Sequence, residues 1–201
     1  MVSFTTALTT HRLVAIVRGD EARAVVRVLF ESGVRLVEVS LTSPDALEVI
    51  ADLASEVPEG GWLGVGTIRT PGDVDDAVAA GATFAVSPAT TVAVRASVAA
   101  GLPVLAGALT PTEVETALGF GADAVKLFPA SLGGVGYLAA LRAPFPDVPF
   151  VPVGGVGVAE AAAYLEAGAV AVGVGSPLVG GGVAGLPARV ARFLDATGSP
   201  V

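Results

Sequence analysis

Residues 104–129 have the sequence VLAGALTPTEVETALGFGADAVKLFP, which contains one complete repeating unit of this chain. The apolar runs at 104–109 and 124–129 are typical of buried strands. Between them, the segment 111–120 begins at a Thr-Pro pair and is followed by Gly121, which are start and stop signals of a helix. The stretch therefore predicts strand, helix and strand, an order that places both strands parallel in one sheet.

The same unit recurs along the chain, roughly once every 20 to 25 residues. The strand candidates are the runs at 13–18, 36–41, 62–67, 84–88, 104–109, 124–129, 150–155 and 169–176. The glycines expected to end helices are Gly33, Gly81, Gly101, Gly121 and Gly168. Eight strands alternating with helices predict a (β/α)8 TIM barrel in the α/β class. The alternative is a doubly wound sheet, which usually has fewer strands.

No linker or shift in composition divides the chain, so we expect residues 1–201 to form a single (β/α)8 barrel domain. Hydrophobic residues make up 53% of the sequence and charged residues 15%, enough for a substantial core. We expect a short N-terminal helix before the first strand. The stretch GGGVAGLPARVARFLDATGSPV at 180–201 predicts a last amphipathic helix and a loose tail.

Composition also argues against several classes of function. A net charge of −8 argues against nucleic-acid binding, and no apolar run approaches the length of a membrane span. The N-terminus has no signal-peptide pattern and the sequence has no Cys, which together favour a cytoplasmic location. With His11 as the only histidine, ligands for a catalytic zinc ion are too few.

Lys126 is the only lysine of the sequence and lies inside the apolar run AVKLFP. Strand alternation places Ala124, Lys126 and Phe128 on one face, and Val125 and Leu127 on the face that suits packing against helices. Lys126 is thus expected to point into the barrel, where desolvation lowers the pKa of an amine and leaves it free to attack a carbonyl. The alternative is a surface lysine, or one paired structurally with a carboxylate.

Glu38 lies in a second run, LVEVSL, whose alternation places it on the inner face together with Leu36 and Ser40. The second and sixth strands contribute to the same interior layers of a TIM barrel, so Glu38 and Lys126 are expected to face each other. A structural salt bridge is the alternative. A buried ion pair is costly, however, and usually marks a functional site.

The last two strand candidates end in glycine-rich pairs, Gly154-Gly155 in the seventh and Gly175-Ser176 in the eighth. TIM barrels often bind phosphate at these two strand ends through backbone N–H groups. The alternative is that these are ordinary turn glycines. Their occurrence at both expected positions favours phosphate binding.

Two further polar residues end strand candidates, Arg18 at the first and Thr67 at the third. Either could hold a carboxylate or phosphate group of a substrate. Arg18 could equally be the partner of a structural ion pair, and Thr67 a plain strand-end hydroxyl. His11 is expected to be a surface residue near the N-terminus.

Taken together, these motifs resemble the KDPG/KHG aldolase family, the 2-keto-3-deoxy-6-phosphogluconate aldolases and their relatives. The resemblance covers roughly residues 10–180. The matching stretches are LVAIVRG, GVRLVEVSLTSPDA, GVGTI, FAVSP, KLFPAS, APFPDVPFVPVGGV and AVGVGSPLV.

The resemblance implies a class I aldolase that cleaves a phosphorylated keto acid to pyruvate and D-glyceraldehyde 3-phosphate, as in the Entner–Doudoroff route. Lys126 would form the Schiff base and Glu38 would be the general acid/base. The implied substrate-binding residues are Arg18, Thr67, Pro88 and Phe128, and the implied phosphate-binding residues are Gly154, Gly155, Gly175 and Ser176. The resemblance also implies a homotrimer that needs no metal or organic cofactor.

Two positions depart from the pattern of some family members. Thr42 stands where some members carry a substrate-binding Arg. Val153 stands where some carry Thr, and a Val at this position resembles the galactonate-specific branch. The choice between the gluconate and galactonate epimers therefore stays open, as does 4-hydroxy-2-oxoglutarate as a further substrate. Two other hypotheses are a phosphosugar isomerase or epimerase and a noncatalytic phosphate-binding barrel.

Overall fold

Eight short strands alternate with helices in the computed structural model, which describes residues 2–200. The strands are β1 (Leu13–Val17), β2 (Leu36–Ser40), β3 (Trp62–Gly66), β4 (Ala85–Val86), β5 (Val104–Ala108), β6 (Ala124–Leu127), β7 (Phe150–Pro152) and β8 (Val172–Val174). The helices are α1 (Phe4–His11), α2 (Ala22–Glu31), α3 (Ala46–Leu53), α4 (Pro71–Ala79), α5 (Val92–Ala99), α6 (Pro111–Gly119), α7 (Gly134–Arg142), α8 (Val158–Glu166), α9 (Ser176–Val179) and α10 (Leu186–Thr197). Each strand lies inside its predicted run. Residues 1 and 201, the outermost positions of the expected domain and of its tail, lie outside the described residues.

All strand pairs are parallel, in the order β7-β6-β5-β4-β3-β2-β1-β8. The two ends of this sheet meet, because Val153 bridges to Gly173 and the Val170 N–H donates to the Phe150 carbonyl at 3.0 Å. Gly173 permits this approach, since a Cβ there would lie 2.5 Å from the Val153 side chain. The sheet therefore closes into a barrel, which confirms the predicted (β/α)8 fold and excludes the doubly wound alternative.

Side chains alternate between two apolar clusters along the strands. Val125 and Leu127 of β6 belong to the outer cluster, between the strands and the helices, whereas Ala124 belongs to the cluster inside the barrel. In β2, Val37 packs in the outer cluster and Leu36 in the inner one. The predicted alternation is therefore confirmed in both strands, and it fixes which of their polar residues face the barrel interior.

Helix α1 closes the amino end of the barrel. The Phe4 ring lies 4.9 Å from that of Phe84 and 5.4 Å from that of Trp62, while Leu8 of the same helix is buried. These side chains join the inner cluster, so the lumen is filled from this end. The open end of the barrel is the carboxyl end of the strands, where TIM barrels carry their sites.

The predicted helix signals have clear local causes. Thr70 and Thr110 each form a capping box with the acidic residue three positions on, and a Pro occupies the first turn of both helices. The predicted helix-ending glycines all have positive φ, namely Gly33 (97°), Gly81 (84°), Gly101 (70°), Gly121 (89°) and Gly168 (94°). A left-handed conformation suits Gly best, so these positions stop the helices as the sequence predicts.

The chain continues in contact with the barrel after α10. The Ser199 hydroxyl lies 2.6 Å from that of Thr197 and contacts the His11 carbonyl. No helix in the described part of the chain has the length and hydropathy needed to cross a membrane.

Candidate active site

Lys126 of β6 is buried inside the barrel, with a relative exposure of 3%. Its Nζ lies 5.0 Å from the centroid of the ring of Phe128, the residue that directly follows β6. Burial lowers the pKa of Lys126; Glu38 opposes that effect and Arg18 adds to it. The side chain thus has the environment that leaves a lysine amine neutral and nucleophilic.

Glu38 of β2 is buried to a similar degree, with a relative exposure of 1%. Neither carboxyl oxygen has a hydrogen-bond partner among residues 2–200. Burial raises the pKa of Glu38, and the charges of Lys126 and Arg18 oppose that rise. A carboxyl group with a raised pKa and free oxygens can both donate and accept a proton, as a general acid/base must.

Glu38 and Lys126 influence each other without forming a direct ion pair. Within the described residues, the ion pairs shorter than 4 Å are Arg23–Asp52 and Arg27–Glu56, both on the surface. The structure therefore does not support the alternative of a structural salt bridge between Glu38 and Lys126. Both side chains face the lumen and remain available to a third group.

Glycines of β3 create the space for the Glu38 carboxyl group. In the parallel register, Glu38 pairs with Gly64, and a Cβ on Gly66 would lie 2.7 Å from Glu38 Oε1. A Cβ on Gly64 would lie 2.5 Å from the Phe84 ring. The two glycines of β3 thus leave room inside the barrel for the side chains of Glu38 and Phe84.

Arg18 follows β1 at the open end of the barrel and is exposed. Its charge acts on both Glu38 and Lys126, which places it near them. It has no ion-pair partner within 4 Å in the part of the chain that the structure describes. The structure therefore does not support the interpretation of Arg18 as the partner of a structural ion pair.

A cleft of about 340 Å³ brings together the two glycine-rich strand ends. The predicted residues among those that line it are Arg18, Phe128, Gly154, Gly155, Gly175 and Ser176. Gly154 and Gly155 have φ of 96° and 76°, and a Cβ on Gly155 would lie 2.8 Å from the Ser131 Cβ. Glycine is thus required at this strand end both by conformation and by space. The buried side chain of Val153 also lines the cleft.

A network of three hydroxyl groups lies at the ends of β2 and β3. Ser40 is fully buried, and its Oγ lies 2.9 Å from Thr67 Oγ1 and 2.8 Å from Thr42 Oγ1. Thr67 has a φ of 68°, a left-handed conformation that is rare for a β-branched residue and occurs most often at functional sites. Sequence reasoning did not name Ser40 as a site residue, although alternation placed it on the face of Glu38.

Pro88 does not line the glycine-rich cleft but lies against β5. A Cβ on Gly107 would overlap the Pro88 carbonyl. The close approach of Pro88 to β5 therefore requires glycine at this position. The Gly107 N–H donates to Ser87 Oγ at 3.2 Å, and Gly107 pairs in register with Lys126. Pro88 is therefore held beside the strand that neighbours the lysine.

Other groups lie apart from this site. His11 ends α1 at the closed end of the barrel and is half-buried, which lowers its pKa; the charge of Arg35 lowers it further. A larger hollow of about 730 Å³, between α2 and α10, has Glu31 and Asp195 among its lining residues but no residue of the site. No three His, Asp or Glu side chains within residues 2–200 lie together as metal ligands would.

A family model for the KDPG and KHG aldolases matches residues 5–185 of this sequence. The chain belongs to this family. The resemblance predicted from the motifs is thereby confirmed, and the match includes every residue that was assigned to the site.

This aldolase-family chain has curated relatives in several bacteria. It is 37% identical over 171 residues to the probable 2-dehydro-3-deoxy-6-phosphogalactonate aldolase of Rhizobium meliloti (strain 1021), covering 83% of this chain and 81% of the relative. It is 37% identical over 170 residues to the 2-dehydro-3-deoxy-phosphogluconate aldolase of Treponema pallidum (strain Nichols), covering 82% and 80%.

A solved structure has the same architecture and holds a trapped intermediate. The KDPG aldolase from Legionella pneumophila, with pyruvate captured as a covalent carbinolamine, superimposes with a TM-score of 0.83 at 27% identity. The superposition covers 100% of this chain and 99% of that one. The comparisons thus agree with the barrel seen here and give no support to the isomerase alternative.

Proposed function

We propose that this protein is a class I aldolase that cleaves a 2-keto-3-deoxy-6-phosphosugar acid to pyruvate and D-glyceraldehyde 3-phosphate. The observation that carries the proposal is that two groups with complementary roles are buried inside the barrel. They are Lys126, whose pKa is lowered, and Glu38, whose carboxyl oxygens have no hydrogen-bond partner within residues 2–200. Membership of the KDPG and KHG aldolase family and the names of the curated relatives support it.

In this mechanism the neutral Lys126 amine attacks C2 of the keto acid and forms a carbinolamine, which loses water to give an iminium ion. Glu38 supplies and removes the protons of these steps, directly or through a water molecule. The iminium is an electron sink, so loss of the proton of the C4 hydroxyl breaks the C3–C4 bond. D-glyceraldehyde 3-phosphate leaves, and C3 of the remaining enamine takes up a proton. Hydrolysis then releases pyruvate and regenerates the amine.

The substrate's two anionic ends would bind at different places. The backbone N–H groups of the cleft at Gly154, Gly155, Gly175 and Ser176 would hold the phosphate. Arg18 lines this cleft and also acts on Lys126 and Glu38, so it would attract either anion. Thr67 would hold the carboxylate through its hydroxyl group, while Phe128 and Pro88 would line the pocket near the imine.

The epimer that the chain prefers is decided by groups near the C4 hydroxyl. Some family members carry Arg at the position of Thr42 and Thr at the position of Val153. Of these two residues, Val153 lines the cleft. The named relatives include both a probable galactonate and a gluconate enzyme at the same identity. Initial rates on the two epimeric phosphosugar acids, and on 4-hydroxy-2-oxoglutarate, measure this preference directly.

The decisive experiment is reductive trapping with pyruvate. Cyanoborohydride and pyruvate should add a reduced pyruvyl group to the peptide that contains Lys126, detected by mass spectrometry. The Lys126→Arg variant keeps the charge and lacks a nucleophilic amine, so it should give no adduct. An unmodified Lys126 in the wild type would rule out the Schiff-base mechanism. It would leave the isomerase and noncatalytic hypotheses standing.

We further propose that the protein assembles as a homotrimer and acts in the cytoplasm, in a sugar-acid breakdown route of the Entner–Doudoroff type. The family resemblance supports all three statements. Sedimentation equilibrium across a range of protein concentrations tests the assembly, since a monomer or dimer mass would contradict it.

A further inference from the structure

The segment that follows α9 is unusually rich in glycine. Residues 180–185 have the sequence GGGVAG, and Gly181, Gly182 and Gly185 have φ of 101°, 65° and 67°. A glycine-rich segment loses more conformational entropy on ordering than other segments do. Something must therefore hold this loop in one shape if the adjoining cleft is to be rigid.

Arg189 of α10 makes side-chain contacts with both the loop and α9. Its Nε donates to the Leu178 carbonyl, its Nη2 to the Gly182 carbonyl and its Nη1 to the Ala184 carbonyl, each at 2.7 Å. The side chain is half-buried and has no carboxylate within ion-pairing distance in residues 2–200. All three kinds of guanidinium nitrogen are thus used on backbone oxygen atoms, and none on an acidic partner.

A short chain of bonds leads from Arg189 to the cleft. Leu178, whose carbonyl accepts from Arg189, also donates its N–H to the Gly175 carbonyl at 2.9 Å. Val179 donates to the same carbonyl at 3.0 Å. Gly175 and Ser176 line the cleft proposed for phosphate. The single turn of α9 therefore connects the guanidinium group to the backbone of the cleft.

We propose that Arg189 is a positioning residue for phosphate binding, because it fixes α9 and the glycine loop in the shape that presents Gly175 and Ser176 to the ligand. This inference rests on the proposed function, which assigns the phosphate group to this cleft. Arg189 itself does not line the cleft, and its action depends on the geometry of three hydrogen bonds rather than on charge alone.

Arg192 provides a matched control on the same helix. It lines an outer hollow together with Arg189 and Pro177, but it is exposed and its side chain donates no hydrogen bond within the described residues. Arg192→Met removes one positive charge near α9 and leaves the three carbonyl contacts intact. Comparing Arg189→Met with Arg192→Met thus separates geometry from charge.

The test measures the dissociation constant of glycerol 3-phosphate, an unreactive phosphate monoester, by calorimetry. Arg189→Met should weaken binding roughly tenfold, because misplacing a binding group by about 1 Å is costly. Arg189→Lys should weaken it to a similar extent, since an ammonium group cannot reach three carbonyls in a fork. Arg192→Met should change it less than about twofold. Trapping of pyruvate at Lys126, which needs no phosphate, should change little in any variant.

Several results would overturn the inference. They are equal losses in the two Met variants, full retention of binding in Arg189→Lys, or pyruvate trapping that falls in parallel with phosphate affinity in Arg189→Met. The absence of glycerol 3-phosphate binding in the wild type would also overturn it. Failure of the wild type to trap pyruvate would instead remove the proposed aldolase function, so the two failures are distinguishable.

Discussion

Glu38 acts on Lys126 inside the barrel from beyond ion-pairing distance, and each side chain shifts the pKa of the other. The carboxylate raises the pKa of the lysine, while burial lowers it by more. This relationship means that the nucleophile and the acid/base group cannot be altered independently.

Replacing Glu38 by Gln should shift the titration of Lys126 to lower pH. The variant removes the negative charge that favours the ammonium form, so only desolvation and Arg18 remain, and both lower the lysine pKa. We expect the midpoint of pyruvate trapping against pH to move to lower pH, while kcat for cleavage falls about 100-fold. The measurement is the rate of cyanoborohydride trapping from acidic to alkaline pH. A midpoint that moved upward would contradict the assignment.

Replacing Lys126 by Met in a Glu38→Gln background, where no buried carboxylate loses its partner charge, should stabilise the fold at neutral pH while abolishing cleavage. The folded-state pKa of Lys126 lies below the unfolded value of 10.5, so its contribution to stability is greatest above that value and is lost as the pH falls. We expect a gain in the free energy of unfolding at pH 7, shrinking as the pH approaches 10.5. Urea denaturation at a series of pH values measures the free energy of unfolding. A gain that grew with pH would contradict the lowered pKa of Lys126.

Replacing Gly66 by Ala should displace the Glu38 carboxyl group. The added Cβ would lie 2.7 Å from Oε1, so the carboxylate must move, and we expect kcat to fall by about 10- to 100-fold. Gly72→Ala is the control, because its Cβ in α4 would have only Thr70 Oγ1 nearby, at 3.8 Å. Steady-state kinetics of both variants decide the matter. Equal kinetics in the two variants would show that the approach of Gly66 to Glu38 is unimportant.

Replacing Ser40 by Ala should loosen Thr67. The Ser40 hydroxyl holds the hydroxyls of both Thr67 and Thr42, and Thr67 has a strained backbone. We expect kcat/KM to fall about tenfold, with most of the activity restored in Ser40→Thr, which keeps the hydroxyl. A double-mutant cycle with Thr67→Val tests the link, since fully additive losses would mean that the two residues act separately.

The alternation of side chains made the inward faces of β2 and β6 predictable from sequence. A strand buried on both faces has only two orientations, and Val125 and Leu127 fix the one that sends Lys126 inward. Proline and threonine at helix starts and glycine at helix ends likewise act locally. These features are encoded within a few consecutive residues, so no knowledge of distant contacts is needed to find them.

The contacts that depend on the register between strands could not be predicted in this way. The approach of Gly66 to Glu38, the bond between Ser40 and Thr67, and the span from Arg189 to Gly182 each join residues from different elements. Their geometry is set by how far one strand or helix slides along another. The sequence pattern therefore identified the chemistry of the site but not the groups that hold it in place.

The aromatic closure of the barrel by Phe4, Trp62 and Phe84 makes the lumen a dead end. Everything that enters must pass the single mouth at the carboxyl ends of the strands, and Lys126 lies deeper than the glycine-lined cleft. In the proposed reaction the three-carbon fragment bound to the lysine is thus the last to depart. In the reverse direction it must be the first to arrive, so an ordered sequence of binding and release follows from the shape of the barrel.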